Sequence, residues 1–335
     1  MAILNYTNRL ENLRNRKFDP NLNELYTSKY FNRLGLPDNV KYLLEITQPI
    51  DKLSNDKYLL AAERVQNHLE RRLNLHFERD YRHQGSITTN TNIRVHSDID
   101  LLTIISRYHF VPNGEPILSP YTATNANEDI KLLRKQATQI LKSIYQDVDD
   151  SGKKSISIFN KDLHRKVDIV FCFWYHSSTA TDNEKGIMLF DFENETRIKD
   201  FPFAHISAVN TKGNSTSDGS KKGIRMLKNL KADADIELNS FQLTSIVHDI
   251  SNNNLPHSVG TELYLAQNIS YHLEKIISDS QYRKDIQSPN GREYPLKNDD
   301  CVEQLKKLRS ELDTLIMDSQ RELSKVEVRN LIHSI

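Results

Sequence analysis

The 335 residues balance 45 Lys or Arg against 45 Asp or Glu, which supplies no global field for nucleic acid, although a local basic patch is compatible with that balance. The length suits one bilobed unit or two tightly joined domains, and the two distant cysteines, Cys172 and Cys301, exclude a multi-cysteine zinc site or disulfide framework and fit a reducing, cytoplasmic setting. No apolar run approaches the ~20 residues that span a bilayer, and Met1 to Asn15 has no signal-peptide core, so a membrane role is not expected.

Up to Asp56, scattered aromatics, the Val40 to Ile46 stretch and a Pro49 break predict a short helix or two. From Lys57 to Asp80, Tyr58, Ala62, Val65, Leu69 and Leu73 recur at helical spacing, predicting a long amphipathic helix that runs straight into a Gly85-Ser86 turn. Asp98 to Ile105 is rich in β-formers, and strand alternation puts Asp98 and Asp100 on one face. A helical stripe follows over Glu128 to Val148, broken at Asp149-Asp150-Ser151-Gly152. Ser155 to Phe159, Lys166 to Trp174 and Gly186 to Phe192 read as strands. The second is rich in Val, Ile and Phe on both faces, as an internal strand would be, with Asp168 inside the apolar run.

Asn210 to Gly223, rich in Gly, Ser, Thr, Asn and Asp, predicts a flexible lip. Helical periodicity then covers Lys221 to Lys231, Ser240 to Ile250, His257 to Ser280 and Asp299 to Leu323. The class is therefore α+β: a mixed sheet with flanking helices over residues 1–215, a helical lobe over 216–335, and an active site expected in the cleft between them.

Aspartate is depleted in strands, so two on one strand face and a third inside an apolar strand need a reason. Three carboxylates meeting at one point would repel strongly, and a pair of Mg²⁺ ions, with Mn²⁺ as a substitute, resolves the conflict because hard cations take oxygen ligands. Asp98 and Asp100 are expected to bridge both metals, and Asp168 to bind the one that lowers the pKa of an acceptor hydroxyl. Gly85-Ser86 lets backbone approach a phosphate and offers an amide and a hydroxyl to it; alone, it would be an ordinary turn.

The run Gln84-Gly85-Ser86 through Asp98-Ile99-Asp100-Leu101-Leu102, joined to Val167-Asp168-Ile169-Val170, resembles the DNA polymerase β-type nucleotidyltransferases. Among these it is most similar to the CD-NTases, the bacterial cyclic-oligonucleotide synthases of antiphage signalling related to cyclic GMP-AMP synthase and oligoadenylate synthetase. The resemblance spans about Lys57 to Ile250. It implies a polymerase β-like catalytic lobe that condenses nucleoside triphosphates, ATP among them, into a cyclic di- or trinucleotide with release of pyrophosphate.

The resemblance also implies that Gln84, Gly85 and Ser86 meet phosphate, that Lys228 reaches the donor triphosphate, and that Ser240 and Phe241 bind phosphate and stack the donor base. Pro202 to Ile206 falls where such enzymes shape the acceptor-base pocket; His205 by itself reads as a structural histidine. The zinc-binding insertion of the animal DNA sensor has no counterpart, so no DNA activator is expected; the enzyme is expected either to be constitutively competent or to be governed by another protein, regulatory or effector proteins of the same defence system being the candidate partners. Rival readings are a transferase extending a linear oligonucleotide or RNA end, a toxin-like transferase acting on protein or tRNA, and a non-catalytic nucleotide sensor.

Overall fold

The computed structural model describes residues 4–17, 35–93, 99–118, 125–255, 258 and 260–333, and the side chains of these up to residue 325. Two compact units emerge: a sheet unit, Asp51–Asn90 with Val95–Ser207, and a helical unit, Met1–Ile50 with Thr91–Arg94 and Ala208–Ile335. The amino-terminal helices thus group with the helical unit, not with the catalytic lobe expected over 1–215, and the division near the middle of the chain falls at Ser207/Ala208.

In the sheet unit, α3 (Lys52–Arg72) begins where the Asp51 side chain accepts from the Ser54 amide at 2.9 Å and ends with Arg71 and Arg72, complementing the helix dipole. The helix starts earlier and stops sooner than its periodicity predicts. Its extension toward Asp80 is replaced by β1 (Arg79–Gln84), a strand with the sequence Arg-Asp-Tyr-Arg-His-Gln. So polar an edge strand carries almost no local signal and is ordered by its antiparallel pairing with β2 (Ile99–Phe110).

Next come α4 (Ala126–Ile144), β3 (Asp147–Asp149), β4 (Ser155–Asn160), β5 (Arg165–Tyr175), β6 (Gly186–Asp191) and β7 (Thr196–Asp200). The strands run β1-β2-β5-β4-β3, with β6 joined to β5 beyond the end of β4, and β7 joined to β6. Every pairing is antiparallel except β2 with β5, whose chain connection passes through α4.

Alternation along β2 and β5 divides their side chains between two environments. Ile99, Leu101, Ile105, Val167, Ile169, Phe171 and Phe173 pack into a core with Val65 and Leu69 of α3 and Leu133 and Leu141 of α4. The intervening Leu102, Ile104, Cys172 and Trp174 form a smaller cluster with Ile187. Asp100 and Asp168 lie on that second face, at the ends of the strands where it ceases to be apolar.

The helical unit contains α1 (Tyr6–Lys17), α2 (Asp38–Glu45), α6 (Gly219–Asp233), α7 (Ser240–Asp249), α8 (Glu262–Ser278), α9 (Ser280–Asp285) and α10 (Val302–His333). One core joins Leu13, Tyr42, Leu227, Leu230, Ile246, Ile269 and Leu308. The predicted lip over Asn210 to Gly223 is helical instead. Helix α5 (Pro202–Ser215), which crosses the division between the units, is followed by a turn at Thr216 to Asp218 and then by α6. The composition marks a turn, and only three residues serve it. Ser217 and Asp218 take left-handed backbone angles, and the Thr216 hydroxyl accepts from the Ser220 amide at 3.1 Å, while burial of Val209, Ser220 and Ile224 overrides weak helix propensity on both sides.

Arg165 opens β5 wholly buried. It donates to Ser54 Oγ at 2.7 Å and to the carbonyls of Leu163 and His164 at 3.3 and 3.0 Å, and its guanidinium lies 4.5 Å from the Tyr58 ring centre. Arg165→Leu keeps the volume but strands these acceptors in the interior, and should lower unfolding free energy by about 2–4 kcal/mol in a urea titration. A loss below ~1 kcal/mol would show that these acceptors find other partners.

Candidate active site

Strand register lines up one polar residue from each of four neighbouring strands. Gln84 of β1 lies opposite Asp100 of β2, Asp100 beside Asp168 of β5, and Asp168 opposite Ser157 of β4. Register partners project from the same face, so the two aspartates predicted from distant parts of the chain are neighbours. Ser157 Oγ donates to Asp168 Oδ1, and Lys166 Nζ donates to Asp168 Oδ2 at 3.1 Å. The third predicted ligand, Asp98, lies outside the described residues.

At the end of β1 the chain turns at Gly85 with φ +105°, which a side chain would resist. The Thr88 amide and hydroxyl both donate to the Gly85 carbonyl, at 3.1 and 2.7 Å, and the Thr89 hydroxyl donates to the Ser86 carbonyl at 3.1 Å. The Gly-Ser segment is therefore a closed, hydroxyl-braced turn. Gln84 Oε1 is buried and accepts no hydrogen bond among the described residues.

Two carboxylates at adjacent-strand spacing, about 5 Å, repel by roughly 3 kcal/mol at an effective dielectric of ~20. They are hard oxygen donors whose register neighbours on either side, Gln84 and Ser157, also offer oxygen, a donor set suited to a divalent cation of the Mg²⁺ type. Among the described residues no group of three or more His, Cys, Asp or Glu is arranged to hold a metal, so the described part of the site consists of this pair.

The helical unit carries the other predicted residues. Lys228, on α6, is not on a solvated helix face: it is 6% exposed and donates to the Thr91 carbonyl at 3.0 Å. Burial, with smaller contributions from Arg225 and Lys231, lowers its pKa to about 8. Ser240 and Phe241 form the first turn of α7, whose Asn239 cap and Gln242 make a reciprocal capping box. Ser240 is exposed and Phe241 half-buried, so the ring is not a core residue. Pro202 to Ile206 begins α5.

Sequence reasoning overlooked Ser157 and Lys166. Ser157 is a polar interruption in a strand of Ile and Phe, and Lys166 shares a strand face with Asp168 two residues away. Both signals become legible only once the strands are paired.

A sheet with in-register aspartates on a parallel strand pair, followed by a helical unit, defines a nucleotidyltransferase architecture. Residues 207–317 match the cGAS/DncV-like nucleotidyltransferase C-terminal helical domain, starting where the helical unit resumes. The chain is 31% identical over 350 aligned positions to the c-di-GMP synthase of Capnocytophaga granulosa, covering 94% of this chain and 98% of that protein. It is 28% identical to the cyclic dinucleotide synthase CdnE of Yersinia aleksiciae, over 90% of this chain and 82% of the other.

The solved structure of the STING-associated CdnE c-di-GMP synthase from Capnocytophaga granulosa superposes with a TM-score of 0.81 at 32% identity, covering 95% of this chain and 99% of that one. The chain belongs to the CD-NTase family of antiphage signalling enzymes, in its CdnE clade, and is a cyclic dinucleotide synthase. Enzymes of this family act on nucleoside triphosphates and generally use divalent metals. Among the described residues no helix is long and apolar enough to cross a membrane.

The folded pKa of Lys228 lies below the ordinary 10.5, so between about pH 8 and 10.5 the unfolded chain holds the extra proton and this position's contribution to stability rises with pH. The unfolding free energy of the wild type should therefore climb relative to Lys228→Met across that window in paired denaturant titrations. Parallel curves would mean that the buried ammonium is not desolvated.

Proposed function

We propose that this enzyme condenses two molecules of GTP into c-di-GMP and serves a STING-linked signalling system in the cytoplasm. The in-register pairing of Asp100 with Asp168 carries the catalytic part of this reading, and the end-to-end likeness to the Capnocytophaga granulosa c-di-GMP synthase carries the choice of base. In each of two transfers a ribose hydroxyl oxygen forms a bond to an α-phosphorus, the α–β phosphoanhydride bond breaks, and pyrophosphate leaves; the hydroxyl proton is lost to solvent.

Asp98, Asp100 and Asp168 are the residues that would hold two Mg²⁺ ions, with Mn²⁺ able to replace them, and those ions supply Lewis acidity and neutralise triphosphate charge. The remaining roles belong to the chain itself. Gln84, Gly85 and Ser86 orient phosphate, the backbone at Gly85 being already bent as a close approach demands. Lys228 offers an ammonium whose lowered pKa reflects a dry environment, in which its pairing with phosphate oxygens is stronger than in water. Ser240 bonds a donor phosphate, and Phe241, half-buried in the first turn of α7, stacks a base. The two free cysteines, Cys172 and Cys301, are both buried, which suits a reducing compartment.

Incubation with Mg²⁺ and α-labelled GTP or ATP, singly and together, followed by phosphatase and mass spectrometry, tests the reading. GTP alone should give a phosphatase-resistant product of the mass of c-di-GMP, and Asp100→Asn should lower its rate at least ~100-fold. A product containing adenine would overturn the base assignment, and a phosphatase-sensitive chain would overturn cyclisation.

A further inference from the structure

Asp168 is gripped at both oxygens by side chains of the sheet. Ser157, opposite it on β4, donates to Oδ1, and Lys166, two residues earlier on the same strand face, donates to Oδ2 at 3.1 Å. The grip is partly screened: the Lys166 side chain is 38% exposed and that of Asp168 17%. The polar row continues past Ser157 to Asp149 of β3, its register partner. Asp149 Oδ1 is taken by the Ser151 amide and hydroxyl, at 2.9 and 2.6 Å, and these bonds chiefly lower its pKa, with Lys166 adding a smaller electrostatic contribution. The Lys166 ammonium therefore lies within electrostatic range of a second carboxylate.

Given the reading of Asp168 as a metal ligand, on which this inference rests, we propose that Lys166 is a positioning residue that occupies Asp168 in the nucleotide-free enzyme and competes with divalent cations for it. Its ammonium offsets the repulsion between Asp100 and Asp168 while the site is empty of cations, and the Ser157 bond fixes the carboxylate plane in either state. For a divalent ion to use Oδ2 the ammonium has to withdraw. Asp149 and an incoming triphosphate are anions that can receive it. Metal binding at Asp168 is thereby coupled to arrival of the nucleotide, which limits adventitious loading of the bare enzyme.

The consequence is counterintuitive for a lysine near a catalytic centre: removing it should tighten metal binding. A residue of merely structural importance would loosen the site instead. The test is a Mn²⁺ titration of the nucleotide-free full chain, with free Mn²⁺ read by electron paramagnetic resonance, on wild type, Lys166→Met, Lys166→Arg and Asp168→Asn. Lys166→Met should lower the Kd for Mn²⁺ by about tenfold, a unit charge discounted for its exposure, and Lys166→Arg should stay within about twofold of wild type.

Circular dichroism melts establish that each variant is folded, and Lys166→Gln replaces Lys166→Met if the latter is not. An unchanged or higher Kd in the folded neutral variant, with Asp168→Asn still weakening Mn²⁺ binding, overturns the role of Lys166 alone. Mn²⁺ binding that is indifferent to Asp168→Asn overturns the metal assignment and the proposal with it.

Discussion

The parallel pairing of β2 with β5 is the constraint from which the rest of the sheet unit follows. It sets Ile99 against Val167 and Leu101 against Ile169, which sends both pairs into the core beneath α3 and α4. The same register leaves Asp100 and Asp168 side by side on the other face. A slip of one residue would bury a carboxylate and expose a branched side chain, so core packing and the alignment of the acidic pair are enforced together. The hydrophobic core thus does chemical work at a distance: it holds two like charges where neither would go unaided.

The cost of that arrangement is met locally. A hydroxyl from the next strand and an ammonium from the same strand face bond the two oxygens of Asp168, so the acidic row is interleaved with donors. The helical unit shows the reverse case. Lys228 buries a positive charge near Arg225, whose guanidinium is fully enclosed and bonds the Thr47 carbonyl at 2.7 Å and Asp218 at 2.5 Å. Such groups are stable only because backbone carbonyls and carboxylates are positioned for them.

Strong periodicity was legible in the chain. The apolar strand around Asp168 and the helix over Ser240 to Ile250 have counterparts close to their expected bounds, whereas the strand expected to end at Ile105 runs on to Phe110, and the helix expected to reach Val148 ends at Ile144 and gives way to β3 (Asp147–Asp149). Elements without their own pattern were not legible. β1 has a single strong β-former, and its order comes from β2. Asn210 to Gly223 has the composition of a loop but lies almost wholly in two helices, because turn-forming residues lose to burial when a neighbouring core is available. The association of α1 and α2 with the carboxy-terminal helices depends on contacts between residues far apart in sequence, such as Arg9 with Glu311 and Tyr6 with Asp318.

From the sequence alone came the chemistry and its local geometry: which carboxylates stand in strands, that alternation gives Asp100 its face, that a glycine precedes Ser86, and that these motifs resemble those of the CD-NTases. Alternation and helical periodicity are properties of neighbouring residues, so they are written in neighbouring letters. The tertiary structure decided what stands next to what: Asp168 beside Asp100, Ser157 opposite Asp168, and Lys228 buried against Thr91. Register between strands separated by a helix is set by which apolar side chains fill a shared core, and that information belongs to no single segment.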